Sequence, residues 1–366
     1  MLEQHERFTG EVTTYIKGIA IVLMICNHLY PIPEFIFPEN QYFSLAIGSK
    51  TLDAYIGGFG KICVAIYTIL TGIGLYHTYS NKEKAYEHTL RKLISFYLVY
   101  WVILIGVYIP VMQIAGVWDG NLIVLIKNMI GYKTTYCKVA WYVFFYMELI
   151  ITFPIYVKIF KKMQIVSGSR SNKSHVLFIC ELVCLVATRA LISKIGGNTW
   201  IGNIVGQYLN YIPFALLGYY CAKYSIFEKV IAQMNRTFIK KWQKYVITVV
   251  GIGLVVLLRG GVKELYYFNM DLIYASIVIM FLFFIKKQVC GVLNKIISVL
   301  GKYSTELWFL HAIFFIGSAT VQKIAYWPRI DILILVWTII LLLPMAYLIR
   351  IISDNILKLF IKGEKV

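Results

Sequence analysis

The chain has 366 residues, of which 59% are apolar or aromatic and only 15% charged, with a mean hydropathy of +0.71. A soluble chain is about 45–50% apolar, so a water-soluble fold of this size would lack the polar surface to cover itself, and lipid has to be the solvent. The net charge of +18 flanks apolar runs, which points to anionic lipid and translocation topology and excludes a nucleic-acid partner.

Apolar runs fall at about 14–30, 55–79, 93–116, 139–157, 175–193, 201–222, 245–258, 266–285, 304–325 and 330–349. The first has no small-residue cleavage signal behind it and reads as a retained span. It carries Lys17 near its start and His28 near its end, and the outer turn after it holds Pro31, Pro33 and Pro38. The third and sixth runs are free of formal charge over a bilayer thickness. Segment 121–138 is too short and charged to span, and is expected at the outer interface or folded back into the bundle. SGSRSNKS at 167–174 reads as an inner loop. The runs at 245–258 and 272–285 reach spanning length only if Arg259 snorkels and Asp271 lies inside the protein. A second interfacial helix is expected at 291–302.

The lysines and arginines test this order independently. With the N-terminus inside, 25 of the 36 fall in inner segments and nine in outer ones, alternating at the long loops. The predicted fold is therefore an all-α, polytopic bundle of about ten transmembrane helices with both termini cytoplasmic, forming a single domain over residues 1–366. The expected location is the plasma (inner) membrane, multi-pass. The seven cysteines lack paired spacing and read as small buried hydrophobes, with neither disulfides nor a metal site.

Chemistry is expected where ionisable groups enter the membrane. A helix rising 1.5 Å per residue puts His28 about 16 Å from Lys17. The two read as the ends of one internal path, with a buried imidazole suited to proton transfer; equally, His28 reads as an interfacial histidine wetted at the headgroups. Glu181 and Arg189 share one helical face and are expected in structural ion pairs. Lys61, Asp271 and Glu306 carry no assignment.

Four stretches, in order, are similar to one family. KGIAIVLMICNHLYP (17–31) places a lysine and a histidine at the two ends of an opening helix. YTILTGIGLYHTY (67–79) precedes LRKLISFYLVYW (90–101), AWYVFFYMELIITFPIY occupies 140–156, and KYSTELWFLHAIFF occupies 302–315. Together they resemble membrane O-acyltransferases of the acyltransferase-3 type, including those that O-acetylate polysaccharides. The basic patch departs from the family's Arg-Arg-x-x-Arg: here it reads Arg91-Lys92-Leu93-Ile94-Ser95, with leucine at 98 where proline is usual. The gap from Trp141 to Glu148 is also longer than the common one.

The resemblance implies an integral membrane enzyme that takes an acyl group, acetyl first among candidates, from cytoplasmic acyl-CoA to a hydroxyl of a cell-surface or lipid-linked polysaccharide of the cell envelope. It implies acetyl-CoA as donor substrate and no metal. His28 is the implied general base or acyl carrier, Lys17, Arg91 and Lys92 the donor-binding cations, and Trp141, Glu148 and His311 lining for the acceptor or donor path. The same three cations also satisfy the positive-inside bias alone. Partners are membrane lipid, the glycan and acyl-CoA; a homo-oligomer stays open. The alternative is a non-catalytic transporter or flippase for polysaccharide or lipid-linked sugar, because intramembrane charges also mark substrate pathways.

Overall fold

The computed structural model describes residues 7–30, 36–48, 50–167, 171–196, 200–261 and 267–360. Pro31, Pro33, Lys263 and the centre of the serine-rich loop at 168–170 lie outside the described residues. The helices in chain order are α1 (Gly10–Leu29), α2 (Leu52–Gly60), α3 (Cys63–Asn81), α4 (Ala85–Ile103), α5 (Ile109–Ile114), α6 (Leu122–Ile130), α7 (Trp141–Ser167) and α8 (Ser171–Gly196). They continue as α9 (Trp200–Lys223), α10 (Ile226–Thr237), α11 (Lys241–Gly260), α12 (Tyr267–Ile285), α13 (Gly291–Lys302), α14 (Ser304–His311), α15 (Ala319–Tyr326) and α16 (Asp331–Phe360). Strand pairing among the described residues amounts to a two-residue hairpin, β1 (Ala46–Ile47) against β2 (Lys50–Thr51), and one bridge from Phe43 to Ile330.

The chain is an all-α polytopic membrane protein. Among the described residues, seven helical segments are long and apolar enough to cross a bilayer: 10–29, 52–81, 85–114, 138–162, 175–192, 241–260 and 331–359. Helices α9, of 24 residues, and α12, of 19, have near-bilayer length as well. The run expected as one span at 304–325 is instead broken. Helix α14 ends at His311, a 3₁₀ turn covers Ala312–Phe315, Gly317 takes φ 88°, and Ser318 caps α15. Broken backbone is tolerated at such depth only where protein encloses it, and residues 304–314 are buried almost throughout.

Close helix contacts hold the bundle. Helix α3 lies so near α9 that a Cβ on Gly72 would stand 1.9 Å from the Ala215 carbonyl oxygen, the small-residue packing that lipid-embedded helices favour. Helix α1 meets α13 in the same way, through Gly18 against the Ile297 carbonyl. Helix α4 continues through a π-helical turn, Leu104–Tyr108, into α5. The wide turn precedes Pro110 and accommodates a residue that cannot donate to the helix ladder.

Both non-spanning segments are helical. Helix α6 packs its last turn under α4, whose Tyr97, Tyr100 and Trp101 donate to the carbonyls of Ile130, Asn128 and Met129 at 2.7–2.8 Å. Helix α13 buries Ile297 and Leu300 against the bundle and exposes Val292 and Ile296. Above the end of α1, Ser44 reaches Asp53 at 2.6 Å and Asp331 at 2.9 Å, and Tyr30 donates to the Asp331 carbonyl at 2.6 Å.

Three expectations need correction. Arg259 does not snorkel: it is 2% exposed and makes a two-point pair with Asp271, Nε–Oδ1 2.8 Å and Nη2–Oδ2 3.0 Å, because a carboxylate on the facing helix offers it a better partner than the interface does. Glu181 forms no ion pair among the described residues, and its Oε2 is buried without a hydrogen bond. Cys180, Cys184 and Cys290 are exposed, not buried; the first two ride on α8, whose outer side faces lipid.

Candidate functional site

Helix α1 is the axis of the site. Thr9 caps its start, the Thr9 side chain accepting from the Val12 N–H, and the helix runs unbroken through Lys17 to His28. At the lysine-rich end, which the positive-inside rule makes cytoplasmic, a cavity of about 1430 Å³ opens between α1, α3, α4, α9 and α10. Its walls include the cations Arg7, Lys17, Lys82, Lys92, Lys229 and Arg236, and Glu228 is the one carboxylate among them. Glu228 is already engaged, accepting the Phe8 backbone N–H at 3.3 Å. Such a cavity attracts a large, multiply anionic ligand. Lys17, half-buried on α1, lies furthest inside among the cations and shares its electrostatic surroundings with Lys92 and Arg350.

Arg350 itself is engaged by Glu306, through Nε–Oε1 and through Nη2–Oε2 at 2.9 Å, and also donates to the Lys302 carbonyl at 3.0 Å. That fork fixes α16 to the start of α14. It also gives the previously unassigned Glu306, 0% exposed, a partner. A buried carboxylate with a bidentate guanidinium is satisfied, whereas alone it would not persist in its charged form.

At the opposite end of α1, two histidines from distant parts of the chain meet. His311 Nε2 lies 3.1 Å from His28 Nδ1, and the ring centroids are 4.9 Å apart. His311 Nδ1 lies 3.1 Å from the Leu307 carbonyl, and His28 Nδ1 lies 3.0 Å from the Met24 carbonyl. These contacts assign the protons. A carbonyl only accepts, so His311 Nδ1 carries hydrogen and, in the neutral ring, its Nε2 is an acceptor. His28 Nδ1 then faces two acceptors and must be the donor, which leaves a lone pair on His28 Nε2. His28 is exposed while His311 is 1% exposed. The expected buried imidazole at the rim is thus His311, and His28 is the open member of the pair, because it sits in the last turn of α1 whereas His311 lies inside the broken α14 segment.

Tyrosine hydroxyls steady the two helix ends that bear these rings. Tyr108, delivered by the π turn, donates to the Phe309 carbonyl at 2.8 Å. Tyr326 donates to the Leu29 carbonyl at 2.6 Å. The last carbonyls of a helix have no partner within the helix, so each bond both satisfies a buried acceptor and fixes the backbone next to a histidine.

Neither histidine lines the cavity. Its walls reach inward to Leu70, Thr71 and Tyr146. Beyond these lies an aromatic layer: Tyr142 stacks on Tyr146 at 6.4 Å, meets Trp308 edge-on at 5.0 Å, and Tyr67 stacks on Trp308 at 5.9 Å. Trp308 is one turn before His311 on α14.

The seven residues singled out from sequence therefore separate into groups. Lys17 and Lys92 line the cavity, His28 and His311 form the pair, and Arg91, half-buried on α4, is not part of the cavity wall. Trp141 and Glu148 stand on α7 away from both: Trp141 packs on Tyr211 at 4.9 Å, and Glu148 contacts neither the cavity nor the histidines. Sequence reasoning missed Arg7, Lys82, Lys229 and Arg236. His77 and His88 also line the cavity, and neither was singled out from sequence.

A family model described as an acyltransferase domain (acyltransferase-3) matches residues 14–352, nearly the whole chain. No curated protein and no solved structure matches it.

Proposed function

The chain belongs to this acyltransferase-3 family, and from that premise we propose that it moves an acetyl group from cytoplasmic acetyl-CoA to a hydroxyl of a polysaccharide, cell-surface or lipid-linked, in the plasma membrane. The observation that carries this reading is the placement of a basic cytoplasmic cavity and an open histidine at the two ends of one helix. Coenzyme A is a phosphorylated, multiply anionic thiol, and six cations suit its entry. A sugar hydroxyl arriving from outside meets the exposed His28.

In this reaction the His28 Nε2 lone pair takes the hydroxyl proton as the oxygen attacks the thioester carbon. The resulting imidazolium keeps its Nδ1 hydrogen bonds to Met24 and His311. The tetrahedral intermediate collapses, the C–S bond breaks, and the proton on Nε2 passes to the departing sulfur. Products are the O-acyl glycan and free coenzyme A thiol. The thioester reaches His28 by passing the layer of Tyr67, Tyr142 and Trp308, whose rings must swing aside.

The test is acetyl transfer in membranes from labelled acetyl-CoA, with glycan mass spectrometry. His28→Ala should lower transfer by about 10²-fold or more, the usual contribution of a general base, with coenzyme A binding retained. Undiminished acetylation in that variant at wild-type abundance would remove His28 from the mechanism.

A further inference from the structure

The basic patch of α4 has lost its third positive charge, Ser95 standing where the resembled pattern has arginine. The cavity is nonetheless strongly cationic, and two of its six cations, Lys229 and Arg236, come from α10. This helix follows α9 across Ser225, held at φ 51°, so the chain turns sharply as it leaves the bundle. Phe227 and Ile231 are buried. Phe8 seals this side, packing on Phe227 at 5.8 Å and on Phe283 at 5.2 Å. Lys229, Gln233 and Arg236 follow at i, i+4 and i+7, which is one stripe of an α-helix, and all three are exposed and line the cavity.

Helix α10 is thus docked by its apolar face and presents a cationic stripe to the cavity mouth. Lys229 and Arg236 are about 10 Å apart along the axis. Lys82 after α3, Lys92 on α4 and Lys17 on α1 line the same cavity, together with Thr71 and Tyr146.

We propose that Lys229 and Arg236, with Gln233 between them, grip the phosphorylated nucleotide end of the donor. This rests on the coenzyme A reading above and adds the assignment of its nucleotide subsite. Geometry fixes the polarity of the donor. The thioester has to travel inward toward the aromatic layer and His28, so the nucleotide stays at the mouth, where α10 is. Two cations on one helix, separated by more than the length of a single phosphate, match a ligand carrying both a diphosphate and a ribose phosphate.

The experiment compares acetyl-CoA with S-acetylpantetheine, which keeps the thioester and lacks the nucleotide, using full-length protein in membranes. Lys229→Gln/Arg236→Gln should raise the KM for acetyl-CoA roughly tenfold, as expected for lost charge-assisted contacts, with kcat little changed. Its use of S-acetylpantetheine should equal that of the wild type. Lys229→Arg, which keeps the charge, should stay near wild type, as should Lys286→Gln, a cytoplasmic cation outside the cavity walls that pairs with Glu11. An unaltered acetyl-CoA KM in the double variant would overturn the assignment. If wild-type protein shows no saturable binding competed by coenzyme A, the donor reading itself falls and takes this assignment with it. A matching thermal unfolding midpoint for the double variant separates lost grip from lost fold.

Discussion

At His28 the ring nitrogen Nδ1 has two acceptors in reach, the Met24 carbonyl at 3.0 Å and His311 Nε2 at 3.1 Å. The second acceptor comes from 283 residues away, and in the proposed mechanism it holds the His28 ring with its proton on Nδ1, which leaves Nε2 as the base. His311→Ala should therefore lower kcat about tenfold or more with the acetyl-CoA KM unchanged. His311→Gln, whose amide oxygen can accept the same bond, should recover part of the loss. A merely structural histidine would show no such difference between the two variants at equal thermal stability. Tyr108→Phe removes one buried hydrogen bond and leaves the Phe309 carbonyl unsatisfied, at a cost of about 1–3 kcal/mol. It should lower both the unfolding midpoint and kcat, because that carbonyl belongs to the turn that carries His311.

Among the elements, two kinds of contact position the site. Helices α3 and α9 meet backbone to backbone at Gly72, and Gly72→Leu would drive a side chain into the Ala215 carbonyl. The expected effect is misassembly or a destabilisation of at least about 1–3 kcal/mol, read as loss of a monodisperse peak and a lower midpoint in detergent. Gly253→Ala is the control, since nothing lies within 4 Å of the added methyl, and it should be neutral or slightly stabilising in a helix interior. The second kind is ionic. Arg259 and Asp271 join α11 to α12, and Arg259 Nη1 also donates to the Gly58 carbonyl of α2 at 3.0 Å. Asp271→Leu alone strands a buried guanidinium and should cost about 3–5 kcal/mol. Arg259→Met together with Asp271→Leu should recover much of that stability, because the burial penalty disappears with the charge.

For the molecule as a whole, the central feature is a partition. A wide basic cavity on one side and an open histidine on the other are separated by Tyr67, Tyr142, Tyr146 and Trp308. In the proposed reaction such a layer would keep the donor thioester from water that reaches His28 from outside until the rings move. Trp308→Ala should open the partition, raising acetyl-CoA hydrolysis without glycan relative to productive transfer. An unchanged ratio of hydrolysis to transfer would show that these rings do not gate the path.

Composition, charge distribution and continuous apolar runs of bilayer length determined the membrane-embedded, all-helical architecture, because such runs, lacking the alternation of a barrel strand, satisfy their backbone in lipid as helices. The resemblance of four ordered stretches to the family brought out Lys17, Lys92, His28 and His311, since each lies in a short local motif. What sequence could not decide was adjacency. That His311 bonds to His28, that Arg259 turns inward to Asp271, that Arg91 misses the cavity while Arg7, Lys82, Lys229 and Arg236 join it, and that the late span breaks after His311 all depend on contacts between segments from a dozen to hundreds of residues apart. Hydrophobic periodicity reports which face of a helix is apolar, and only packing settles which other helix that face meets.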